Sequence, residues 1–131
     1  MKFTVGANPL TVTSLGRVFV SGNSSAHTVK LVRASDATDV NNGSVSISMT
    51  GGTPGEFKYR SLANPVILSA NTSYYLVSEE VYGDDQWYDC DSQVTTTSVA
   101  TCNGFVYSWQ PWNVFLFPGR SYGLVNFQHL E

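Results

Sequence analysis

An all-β fold, an antiparallel two-sheet β-sandwich of jelly-roll-like type, is what this sequence predicts. Three observations predict it. Val45, Ile47 and Met49 alternate with Ser44, Ser46 and Ser48, and similar runs recur along the chain. Such alternation puts one face of a strand in a core and the other in water. Clusters of Gly, Pro, Asn, Asp and Ser separate the runs at roughly eight- to twelve-residue spacing. No window carries apolar residues at helical spacing.

Taken in order, residues 3–5 read as a short edge strand. After Asn8-Pro9, residues 10–13 alternate, and 17–20 resume beyond Gly16, a glycine that predicts a bulge. Residues 21–25 are a turn cluster. Residues 27–33 form a strand with Val29 and Leu31 on one face, and 34–43, rich in Asp and Asn, read as a loop. The Val45 strand ends at residues 50–55, a run of Gly, Thr and Pro that forces a turn. Phe57 and Tyr59 alternate with Glu56, Lys58 and Arg60 in the next strand, and 65–68 form a short apolar one. Asn71-Thr72 then turns the chain into residues 74–79. Beyond a polar and aromatic stretch, the Thr-rich 94–101 has strong strand preference. Asn103-Gly104 signals a hairpin into 105–109. Pro111 interrupts, 114–117 is apolar, and 121–127 closes the chain.

At 131 residues this is the length of one domain, with residues 1–129 as its body and Leu130-Glu131 read as a cloning-vector scar. Residues 1–3 lead straight into strand-like sequence, so no signal peptide is visible. Apolar residues make up 42% but charged ones only 13%, so Ser, Thr, Asn and Gly must supply the polar surface, as in secreted β-proteins. The net charge is −3 and the seven basic residues are scattered. That excludes the clustered basic footprint that nucleic acid requires. No basic amphipathic helix or long apolar run points to a membrane. Cys90 and Cys102 enclose a short polar loop; a disulfide there would contribute about 3 kcal/mol and imply export. Two unrelated buried thiols are the other reading.

The candidate chemistry gathers around residues 82–90. Trp87, Trp109 and Trp112, all the tryptophans of the chain, lie in or beside segments with Pro, Gly or polar neighbours. An indole left in water can stack on the C–H face of a sugar, a contact of about 1–3 kcal/mol by area. The alternative is core packing, the usual fate of Trp. Asp84, Asp85, Gln86 and Asp89 supply acceptors and an amide that can orient hydroxyls. They also admit a structural calcium site or an ordinary turn. Tyr82 and Tyr88 add rings and hydroxyls. Lys58 and Arg60 read as a solvated strand face. His27 and His129 fit no Ser/His/Asp pattern, and there is no nucleophile elbow or phosphate-cradling loop. The carboxylates Glu56, Glu79, Glu80, Asp84, Asp85, Asp89 and Asp91 offer pairs, but a chain this short is a poor scaffold for a glycosidase cleft. The expectation is a non-catalytic binder of neutral, β-glucan-type polysaccharide. A structural or adhesive spacer domain is the other reading.

The order Val29-Lys30-Leu31-Val32-Arg33-Ala34, the turn into Gly43-Ser44-Val45, Phe57-Lys58-Tyr59, Pro65-Val66 and Tyr74-Tyr75-Leu76-Val77-Ser78 resembles a known group. These are the accessory β-sandwich domains of secreted bacterial polysaccharide-degrading and cell-surface proteins. The resemblance implies a jelly-roll-like fold and a carbohydrate-binding module appended to a glycoside hydrolase or surface protein. It carries over no pattern of site residues.

Overall fold

The computed structural model describes residues 1–80, 85, 92–93, 99–108, 112–116, 120–121 and 125–130. Within them the chain is all-β and antiparallel. The strands are β1 (Lys2–Val5), β2 (Leu10–Val18), β3 (Ala26–Arg33), β4 (Asp39–Ser48), β5 (Phe57–Leu68) and β6 (Ser73–Ser78). They continue with β7 (Ser92–Gln93), β8 (Ala100–Ser108), β9 (Trp112–Leu116), β10 (Arg120–Ser121) and β11 (Val125–His129). Six strands form one sheet in the order β4-β3-β6-β1-β8-β9, three form a second in the order β11-β2-β5, and β7 pairs with β10.

Alternation decides which side chains fill the core. Phe3, Val5, Val29, Leu31, Ile47 and Leu76 come from the larger sheet, and Leu10, Val12, Leu15, Leu62, Val66 and Leu68 from the smaller. Each such side chain contributes about 1.5–3 kcal/mol of apolar transfer. Phe3 joins the sheets, with its ring 5.1 Å from that of Phe127 and 6.0 Å from that of Tyr74. Along one side, cations of β5 bridge toward β4 and the turn after it: Arg60 Nη1 donates to Ser46 O at 2.7 Å and Lys58 Nζ to Thr50 O at 2.5 Å. These two residues lie on a solvated strand face, as expected above, and there they also tie β5 to β4 and the turn after it.

Five sequence expectations are corrected by strand pairing. Strand β1 is central, between β6 and β8, rather than at an edge. Gly16 sits in regular register, and the irregularity of β2 falls at Thr13, opposite residues 62–65. Pro65, which has no N–H to donate, lies in that irregular stretch, so 57–68 is one strand instead of two. Residues 39–43 belong to β4, where residues 40–43 bulge against Leu31 and Asn42 takes a positive φ of 63°. Asn103-Gly104 does not turn the chain at all. Lys2 pairs with Gly104 and Phe3 with Cys102, which makes Asn103 the extra residue of a bulge within β8. The same backbone freedom that suits Asn-Gly to a hairpin also suits it to a bulge.

Candidate functional site

Two groupings of polar and aromatic side chains stand out, and both originate on β2. Alternation points Leu15 and Arg17 to one side of β2 and Gly16 to the other, although residues 14–18 are all buried.

The inward grouping is a chain of charges. Arg17, 2% exposed, donates through Nε and Nη2 to the Glu80 carboxylate at 2.5–3.2 Å. Its Nη1 reaches Val18 O at 3.1 Å and Asn23 Oδ1 at 2.8 Å. Asn23 is set by the turn at 20–23, closed by its N–H on Val20 O and shaped by Gly22 at φ 91°. Ser78 Oγ also donates to Glu80. The His27 ring lies 3.2 Å from Glu80 Oε2 on one side and 2.8 Å from Asp85 Oδ2 on the other. Asp85 accepts the Ser24 and Ser25 amides at 2.9 and 2.8 Å. Among the described residues no buried side-chain polar atom lacks a partner.

Asp85 is thus buried with both oxygens engaged by the protein itself, an anchor instead of the ligand acceptor expected from its neighbours. Burial by itself raises its carboxyl, but the Ser24 amide, His27 and the Ser25 amide outweigh that and hold it below the usual carboxylate value. A depressed acid contributes stability that is full above its unfolded value and is lost as pH falls through the lower folded value. Acid titration of stability is therefore expected to show a loss below about pH 4 that Asp85→Asn reduces. Equal acid limbs in the two proteins, measured by denaturant unfolding, would remove this role.

The other grouping lies on the opposite face of the three-stranded sheet, where Ser14, Gly16 and Val18 are buried and Tyr59 is partly exposed. Register aligns Asn126, Gly16 and Tyr59 in one row across β11, β2 and β5. Gln128, Ser14 and Ser61 form the next row, and Val18 faces Phe57 on the other side. The Tyr59 ring lies over Gly16 so closely that a Cβ there would stand 2.7 Å from its Cδ1 and Cε1. Only glycine leaves room for the ring in this position. Tyr59 stays 37% exposed, with Phe57 beside it at 6.0 Å and tilted 38°. Its hydroxyl accepts from Asn126 Nδ2 at 3.0 Å, and Ser14 Oγ donates to Gln128 Oε1 at 2.5 Å. No charged side chain occurs in these rows. A flat ring bordered by amides and hydroxyls can hold a molecule with an apolar face and hydroxylated edges.

Of the residues singled out by sequence, Tyr82, Asp84, Gln86, Trp87, Tyr88, Asp89, Cys90 and Trp109 lie outside the described residues. Trp112 pairs its backbone with Ser108 in β9. Cys102 is buried opposite Phe3, and no disulfide occurs among the described residues; the expected partner Cys90 lies outside them. No group of three or more His, Cys, Asp or Glu among the described residues is placed to hold a metal ion. Sequence reading passed over Tyr59, Asn126 and Gly16 as a site. The available signal was a tyrosine on a strand and a glycine inside another, and nothing in the chain order shows that they touch. Compared with known protein families, curated proteins and solved structures, the chain matches none.

Proposed function

We propose that this chain is a jelly-roll-like β-sandwich module that binds neutral polysaccharide without cleaving it, outside the cell, and tethers an attached enzyme or surface protein to that polymer. The Tyr59 ring packed over Gly16 yet 37% exposed carries the reading. Its exposed part is offered to the C–H face of a pyranose, while Asn126 and the Gln128–Ser14 pair border it with hydrogen-bonding groups. The absence of charge in the three rows favours uncharged chains over uronic-acid polymers, and the net charge of −3 adds weak repulsion of the latter. Tethering raises local enzyme concentration with no new contact to the enzyme itself.

The test is affinity electrophoresis on a panel of neutral and uronic-acid polysaccharides. Retention of the native protein on a neutral gel is expected to fall about tenfold or more in Tyr59→Ala, since the ring contact is worth about 1–3 kcal/mol. Tyr59→Phe keeps the stacking face and should keep most of the retention. A Tyr59→Ala protein that is folded and retained like the native one rules out this face as the site. Failure to be retained by any polymer favours the spacer reading.

A further inference from the structure

His27, the second residue of β3, is 3% exposed, and both of its ring nitrogens meet acceptors. Nδ1 lies 3.0 Å from the Glu79 carbonyl oxygen and 3.2 Å from Glu80 Oε2; Nε2 lies 2.8 Å from Asp85 Oδ2. None of these oxygens can donate when the carboxylates are ionised. A neutral imidazole owns one N–H, so one nitrogen would turn a lone pair toward an oxygen. We propose that His27 is a proton-dependent latch: as imidazolium it ties β3 to residues 79–80 and Asp85 at once, and loss of one ring proton releases one of those ties.

The surroundings fit a latch with two settings. Among the described residues Arg17 from β2 meets Glu80, which in turn faces the ring, and Ile47, its neighbour on β4, carries no charge. Among the described residues the cluster sets Arg17 and the protonated His27 against the two carboxylates of Glu80 and Asp85. Other partners stay put when the ring changes. Asp85 keeps the Ser24 and Ser25 amides, Glu80 keeps Arg17 and Ser78, and the Glu79 amide keeps Thr28 O at 2.8 Å. Deprotonation therefore acts on the ring's own contacts without dismantling the cluster. The inference does not depend on what the outer face binds.

The amino terminus also makes stability depend on pH. Burial pushes the Met1 amino group from 8.0 down to about 5, against an opposing pull from Cys102. The unfolded chain takes up that proton more readily, so stability from this source rises with pH. The latch has the opposite sign: it is complete while the ring is protonated and weakens as pH rises. The informative quantity is therefore the difference between native protein and His27→Gln, in which the Met1 contribution cancels.

Thermal unfolding of both proteins across the imidazole range, about pH 5 to 8, tests the latch. The native protein is expected to melt about 5 °C above His27→Gln at the acid end, with the gap at least halved at the alkaline end. A gap of the same size at both ends overturns the proposal. Should His27→Gln not fold, ring-nitrogen NMR of the native protein decides. Two protonated nitrogens at the acid end, giving way to one at the alkaline end, support the latch. A ring with a single protonated nitrogen throughout overturns it.

Discussion

Arg17→Ala is expected to destabilise the protein by about 3–5 kcal/mol, because it leaves a buried charge cluster without its fixed cation. Glu80 loses its fork of donors, and Val18 O and Asn23 Oδ1 each lose one. The Glu80 side chain is 17% exposed, so water can meet part of this loss and the lower end of the range applies. Removing the charge on both sides, in Arg17→Met with Glu80→Gln, should recover much of the loss, since an uncompensated partner and not the missing pair is the main cost. Denaturant unfolding of the two single variants and the double variant measures this. A cost for Arg17→Ala below about 1 kcal/mol would reduce the pair to an ordinary surface salt bridge.

Phe3→Ala should cost a similar amount, about 3–5 kcal/mol, the usual range for a buried phenylalanine. Phe3 is 1% exposed on a strand with neighbours on both sides, and its ring spans the space between the sheets to Phe127. Ile67→Ala provides the contrast. That side chain is 72% exposed, and its loss should stay within about 0.5 kcal/mol. If Phe3→Ala unfolded no more easily than Ile67→Ala, β1 would not be the central strand that pairing makes it.

The two groupings share a physical origin in β2. Neighbouring residues on one strand face opposite ways. Arg17 therefore enters the charge cluster while Gly16 becomes the floor beneath Tyr59, and the cluster braces the backbone on which the ring lies. The Arg17 bond to Val18 O acts on the residue paired with Phe57.

Much of this was legible in the chain itself. Alternation of Val45, Ile47 and Met49 with serines, and of Val29 and Leu31 on one face of their strand, pointed to an all-β protein and to the side chains that go inside. Gly22, Gly51 and Gly55 marked sites of positive φ, and sparse charge set the character of the surface. What lies beside what was decided only by the folded structure. An edge strand became central, an Asn-Gly turn became a bulge, and an acidic loop residue became the partner of His27. The period of a strand tells which face a side chain takes but carries no information about the neighbouring strand or its register. Arg17 meets Glu80 across 63 positions of sequence, and Tyr59 finds Gly16 only because β5 pairs with β2. Contacts of that kind are set by how the whole core closes.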